Sequence, residues 1–123
     1  MQLLVATDHD VIVLDVARGT STSADGINHR PTCVAADVLV HGRVWCGTDR
    51  GGVFRSDDGG RSWQTVGLAN RLIMALAVSP TDRDGVWVGT EPSQVWRSAD
   101  AGRTWQQTSN LETLPSSHMI VVT

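Results

Sequence analysis

Lysine and tyrosine are absent from this chain of 123 residues, phenylalanine occurs once and cysteine twice. Without tyrosine, no chemistry that needs a phenolic nucleophile can run on this chain alone. All ten basic residues are arginine, which reads as a compositional habit rather than a functional signal. Two cysteines are too few for a disulfide framework or a cysteine-rich metal site. Cys33 and Cys46 fall on runs that read as neighbouring antiparallel strands, nearly symmetric about the turn between them. That placement leaves open a disulfide and a pair of buried thiols, the second fitting a reducing compartment. His9, His29, His41 and His118 show no metal-ligand spacing, so neither a metal nor a cofactor is expected.

Long apolar runs are missing too. No stretch approaches the roughly 18 residues that a membrane span needs. Met1-Gln2-Leu3-Leu4-Val5-Ala6-Thr7 has no basic start, and Asp8 interrupts the apolar run early, so no secretory signal is read and the expected compartment is cytoplasmic. A formal charge of −3 gives no electrostatic reason to expect nucleic acid or an anionic membrane as partner. With 41% hydrophobic and 19% charged residues, the composition is that of a globular chain, long enough for one domain.

What is present is a repeat. Val44-Trp45-Cys46-Gly47-Thr48 returns as Val86-Trp87-Val88-Gly89-Thr90, 42 residues on. Ser56-Asp57-Asp58-Gly59-Gly60-Arg61-Ser62-Trp63 returns as Ser98-Ala99-Asp100-Ala101-Gly102-Arg103-Thr104-Trp105 at the same offset. Over windows 44–63 and 86–105, 11 of 20 positions are identical without a gap; chance gives about one or two at average composition. A weaker copy opens the chain, with Leu3-Leu4-Val5-Ala6-Thr7 at an offset of 41 from Val44. Its turn, Asp15-Val16-Ala17-Arg18-Gly19-Thr20, keeps a glycine but not the serine, aspartate and tryptophan pattern.

Each unit reads as four short strands, in the clearest unit 74–79, 86–90, 94–98 and 104–108, joined by turn-rich connections. No segment carries helix-capping signals over a helical length. A period of 40 to 45 residues carrying four strands points to propeller blades. The expected architecture is all-β, a partial propeller of about three four-stranded antiparallel blades in one domain. Blade 1 spans about 1–26 and lacks its first strand, blade 2 spans 27–68, blade 3 spans 69–110, and 111–123 is a tail. Glycine inside the strands at Gly47 and Gly89 is expected where an adjacent backbone comes close.

The motif Ser-x-Asp-x-Gly-x-(Ser/Thr)-Trp at 56–63 and 98–105 resembles the Asp box, or BNR repeat, and the surrounding pattern resembles that propeller family over most of residues 1–115. Locally, Asp58 and Asp100 are expected to accept backbone N–H bonds, Ser56 and Ser98 to add a hydroxyl bond, and Gly60 and Gly102 to close the turn at positive φ. Trp63 and Trp105 are expected to begin the next strand and bury a ring. The resemblance implies a hairpin fastener on the outer face rather than a catalytic site. Members of the family include sialidases, xyloglucan-type glycosidases, sortilin-like receptors and photosystem-assembly factors. Sialidase chemistry, by that resemblance, needs a tyrosine nucleophile, which this chain does not have.

Candidate binding residues lie in two sets of loops that share one face around a propeller axis. The first holds Asp8, Asp49 and Glu91, an acidic residue after threonine in every unit. Two such carboxylates can serve glycoside hydrolysis as acid and base, or stand as solvated turn residues. The second holds Asn28-His29-Arg30 and Asn70-Arg71, with Asn28 and Asn70 again 42 apart. Arginine there can grip a carboxylate or phosphate, His29 can bind or titrate, and asparagine can simply shape the turn.

Closed propellers take four to eight blades, so just under three units leave open faces. Truncation is the expected explanation, and self-association, with two copies supplying six blades, is the expected remedy. The functional expectation is a non-catalytic binding or scaffold module of a larger propeller, with an unknown protein or small molecule as ligand. A glycoside-hydrolase fragment with an incomplete catalytic set, or an assembly or stability factor, are the alternatives.

Overall fold

The computed structural model describes residues 2–7, 11–23, 26–91 and 93–108. Within them the strands are, in chain order, β1 Gln2–Ala6, β2 Val11–Asp15, β3 Thr20–Ser23, β4 Pro31–Ala36, β5 Val44–Thr48, β6 Val53–Ser56, β7 Gln64–Gly67, β8 Leu72–Val78, β9 Val86–Glu91, β10 Gln94–Ser98 and β11 Gln106–Thr108. Each pairs only with its chain neighbours, giving three antiparallel meanders: β1-β2-β3, β4-β5-β6-β7 and β8-β9-β10-β11. Short turns allow this, because an antiparallel pair needs no long crossover. Among the described residues, no helix is long and apolar enough to cross a membrane.

The strand bounds differ from the sequence reading at two kinds of place. The innermost strand of the third sheet starts at Leu72 and ends at Val78, because Ser79 leaves the ladder to accept N–H bonds from Thr81 and Asp82 on its hydroxyl. The tryptophans do not begin strands: β7 starts at Gln64 and β11 at Gln106. Thr104 is held back by Asp100, which accepts from both its N–H and its hydroxyl. Trp105 aims its indole N–H at Val66 O in the neighbouring sheet, 3.0 Å away.

Side chains alternate across each sheet, and both faces of the middle sheet are covered. One face packs Cys33, Trp45 and Val53 against Ile73, Val86 and Val88 of the third sheet. The other packs Val44, Cys46, Phe54 and Trp63 against Val11, with Leu4 beside them, in the first sheet. This two-sided cover explains why β5 is buried along its whole length. At Gly47 an added Cβ would lie 2.4 Å from Ile73 Cγ2 and 2.7 Å from Cys33 Sγ. The close neighbours there are side chains, one of them from the next sheet, and not the adjacent backbone that the sequence suggested.

The register separates the cysteines. Cys33 pairs with Gly47, and Cys46 pairs with Val34. Since Cys46 and Gly47 are consecutive, the two sulfurs stand on opposite faces of the sheet and enter different clusters. Both thiols are free. Burial pushes the Cys33 thiol up and takes Cys46 from 9.0 to about 12.

Candidate functional site

The repeated turns are closed hydrogen-bond systems. Ser56 Oγ donates to Asp58 Oδ1 at 2.7 Å and accepts from Gly60 N at 2.9 Å. Asp58 also accepts from Arg61 N, Ser62 N and the Ser62 hydroxyl. The third sheet repeats the pattern: Ser98 Oγ donates to Asp100 Oδ1 at 2.8 Å and accepts from Gly102 N at 2.8 Å. Gly60 and Gly102 have φ of 96° and 89°, values that L side chains rarely adopt. The Ser62 hydroxyl first, then its N–H, and then the Ser56 hydroxyl hold the Asp58 carboxyl well below the usual carboxylate range. The corresponding set from Thr104 and Ser98 lowers Asp100 to about 2. Acceptors already filled within their own turn have little capacity left for substrate. The bonds close each turn on itself.

At the opposite end of the strands, a different arrangement forms where the ends of all three sheets meet. Asp49 N donates to Arg30 O at 2.8 Å, and Asn70 N donates to Arg50 O at 3.0 Å. Asp49 also forms an isolated antiparallel bridge with Leu72. The connection after β5 is thereby tied to the start of β4 and to the start of β8. Arg50 and Asn70 have positive φ, 71° and 65°, as tight polar turns of this kind require. The result is a groove of about 480 Å³ whose lining includes Thr7, Arg30, Thr32, Asp49, Ile73 and Met74. Its floor is anchored by Thr32, whose hydroxyl donates to Ile73 O.

The candidate residues divide around this groove. Arg30 and Asp49 line it together. Asn28, His29, Asn70 and Glu91 are on the surface nearby, but outside the lining. Asp49 Oδ1 stands 3.8 Å from Arg50 Nε. Asp8, with His9 and Asp10, lies outside the described residues, as do His118 and the tail 111–123. Among the described residues, no three His, Cys, Asp or Glu side chains are grouped to hold a metal ion.

The sequence reading missed what His29 and Arg71 rest on. The Arg71 guanidinium lies over the Trp96 ring, 4.7 Å from its centroid, a cation–π contact. His29 tilts against Phe54, with centroids 6.3 Å apart, and covers Gly51, where a Cβ would meet its ring at 2.4 Å. Both pairs, 29 with 54 and 71 with 96, are related by the same offset of 42. That shared offset was the available signal.

A larger groove, about 580 Å³, runs between the first and second sheets at the turn end. Leu4, Val13 and Val44 form its apolar side, with Arg43, Asp57 and Arg61 also in its lining. It exists because β1 carries Leu4 where β5 and β9 carry Trp45 and Trp87, so less volume fills that seam. Arg43 is engaged in a structural ion pair with Asp84 of the next sheet.

No protein-family model matches the sequence, and no curated protein matches it. Solved structures do. The chain is similar to an ancestral GH74 enzyme at TM-score 0.74 and 19% identity, covering 86% of this chain and 16% of that one. It is similar to the GH74 xyloglucanase from Xanthomonas campestris at TM-score 0.62 and 20% identity, covering 93% and 22%. It is also similar to YCF48 bound to D1 peptide at TM-score 0.59 and 15% identity, covering 87% and 42%. These likenesses are of fold: an all-β, partial propeller built of consecutive antiparallel sheets. The chain spans less than half the length of each of these three structures.

Proposed function

We propose that this chain is a binding module of an Asp-box propeller, acting without catalysis through the groove at Arg30 and Asp49. The observation that carries the reading is the convergence of all three sheet ends on a groove whose mixed lining holds one arginine and one carboxylate together with Leu72 and Met74. Paired-carboxylate hydrolysis needs two carboxyl groups facing one bond, and the described lining contains one. Arg30 offers a planar two-pronged donor for a carboxylate or phosphate, and Leu72 and Met74 offer apolar surface in the same groove. The ligand class that fits is an extended segment with an anionic group next to an aliphatic or aromatic one. YCF48, a fold relative, is known with a bound peptide, which supports a peptide as ligand. The turns of the second and third sheets match the Asp box residue by residue, and on that match together with the shared antiparallel meander of all three sheets we assign them to three blades.

The test is a peptide array of acidic and neutral sequences probed with the chain and with Arg30→Ala. The expected result is salt-sensitive binding to acidic peptides that weakens at least about tenfold in the variant, the scale of one lost charge-assisted contact. Binding unchanged by Arg30→Ala would remove the groove from the proposal. The GH74 neighbours set a second arm: release of reducing ends from xyloglucan oligosaccharides by the chain alone would overturn the non-catalytic reading.

A further inference from the structure

The groove at Arg30 and Asp49 is lined by one short segment taken twice. Arg30-Pro31-Thr32 and Leu72-Ile73-Met74 all enter its lining, and the two segments stand 42 residues apart. Each carries a β-bulge at the same place. On β4, Pro31 pairs with Thr48 and Cys33 with Gly47, which leaves Thr32 as the extra residue. On β8, Ile73 pairs with Thr90 and Ala75 with Gly89, which leaves Met74. A bulge takes its extra side chain out of the strand's regular alternation and re-aims it, and here both extra residues line the groove.

The backbone device is the same in both units, while the side chains differ. Arg30 and Thr32 make the second unit's share of the groove polar, and Leu72 and Met74 make the third unit's share apolar. Thr32 is fixed by its bond to Ile73 O, so the first bulge is tied to the residue just before the second. Met74 has no hydroxyl to spend in this way and is 46% exposed. The ion pairs among the described residues use Arg18, Arg43, Arg50 and Arg55; Arg30 is in none of them. Asp49 stands beside Arg50 instead, which leaves the Arg30 guanidinium for a ligand. Glu91, the register partner of Leu72, holds the place in the third unit that Asp49 holds beside Arg30 in the second.

We propose that the groove reads a peptide one residue per unit: segment 30–32 selects an acidic residue through Arg30, and segment 72–74 selects a large apolar residue through Leu72 and Met74. This rests on the reading of the groove as a peptide-binding site and adds to it the residues that set sequence preference. Arg30 can hold a carboxylate by two parallel N–H bonds. Met74, unbranched and freely rotating, adapts to leucine, methionine or phenylalanine, whereas alanine or serine has little apolar area to bury there. Pro31 and Ile73 are buried and anchor the two segments. Arg30 and Met74 are exposed, and Thr32 and Leu72 half-buried. Selection therefore lies in side chains that can be exchanged without disturbing those anchors.

The test writes the second unit's selecting residues into the third. Leu72→Arg with Met74→Thr supplies them, and Glu91→Gln in the same variant keeps the introduced guanidinium from being neutralised by the residue opposite it. Wild type and variant are titrated, by fluorescence anisotropy, with peptides that pair aspartate with leucine, with a second aspartate or with alanine at a range of separations. Far-UV circular dichroism on each sample checks that the chain stays β-rich. Wild type is expected to bind the aspartate–leucine peptides at least about tenfold more tightly than the other two sets, and the variant to prefer the paired aspartates by about tenfold. A variant that keeps the wild-type preference overturns the proposal. Should the triple variant unfold, Met74→Thr alone replaces an exposed side chain by a strand former. It must weaken aspartate–leucine binding about fivefold and leave aspartate–alanine binding as it was, the result of lost apolar contact; undiminished aspartate–leucine binding there equally overturns the proposal. Arg30→Ala separates this from the groove reading itself. If it weakens binding while the changes in the third unit alter no preference, the groove stands and selection by unit falls. If no variant alters binding, or wild type binds none of the peptides, both fall.

Discussion

The two seams of this molecule are built from the same repeat and are held differently. Between the second and third sheets, Trp45 fills the space beneath Gly102, and polar groups tie the sheets across the gap. Those ties are Arg43 to Asp84, Arg55 to Ala101 O, Trp105 to Val66 O and Thr32 to Ile73 O. Between the first and second sheets, Leu4 stands in the tryptophan's place and a groove of about 580 Å³ opens beside it. Apolar burial by Val11, Val44, Cys46, Phe54 and Trp63 holds that seam together. The difference shows what a blade interface needs: a large ring supplies the area, and arginine and indole donors set the alignment. The first unit has lost the tryptophan and the Ser-x-Asp turn, and apolar contact is prominent in its seam.

The largest expected break in this comparison comes from the ring. Trp45→Ala removes a side chain that is 1% exposed and should cost about 3–5 kcal/mol in urea unfolding. Leu4→Ala, at the matching place in a partly open seam, should cost about 1–2 kcal/mol, below the range for fully buried leucine. Equal losses would mean that the seams are equally tight, contrary to the contrast drawn above.

Smaller effects are expected from the turns. Ser56→Ala deletes a buried hydroxyl that both donates to Asp58 and accepts from Gly60 N, and should destabilise by about 1–2 kcal/mol. Asp15→Ala in the degenerate first turn removes a long 3.3 Å bond to Arg18 N and an exposed ion pair, and should change stability by less than about 0.5 kcal/mol. Acid sharpens the same contrast. Asp58 and Asp100 are more acidic in the folded chain than their ordinary 3.8. The unfolded chain therefore takes up protons first as pH falls, so their contribution is complete above about pH 4 and is lost as pH drops toward 2. Replacing Ser62 and Thr104 by alanine removes the main cause of both shifts. The fall in urea midpoint between pH 4 and pH 2 should then be shallower than in wild type.

The smallest expected change is Cys46→Val. Val88 occupies the matching position in the third sheet, and a volume-conserving apolar exchange should stay within about 1 kcal/mol of wild type in urea unfolding. Above pH 9.0 the variant should gain relative to wild type. The raised thiol keeps its proton in the folded chain while the unfolded chain loses its own, which weakens the wild-type fold as pH rises toward 12. Iodoacetamide should accordingly reach both cysteines only on unfolding.

Most of the fold was legible in the sequence because it is local. The period of 42 marked out the two complete units, and the Ser-x-Asp-x-Gly spacing named the atoms that close their turns. Misplacing the start of β7 and β11 by one or two residues had a physical cause: tryptophan reads as a strand former, but its indole N–H was spent on Gly60 O in one unit and on Val66 O of another sheet in the other. The candidate site was less legible. Arg30 and Asp49 do share a groove, whereas Arg71 is laid on Trp96 and His29 on Phe54 and Gly51.

By itself, then, the sequence determined the repeat, the all-β class, the strand-turn order and the internal chemistry of the turns, because each depends on residues within one hairpin. The tertiary structure alone decided which face each side chain meets. It put Cys33 and Cys46 into separate seams, converged three sheet ends on one groove, and sent Arg43 and Arg55 across to the next sheet while Arg97 lay on its own. Those outcomes follow from strand register and from what the neighbouring sheet places opposite, and a one-residue slip would reverse every one of them.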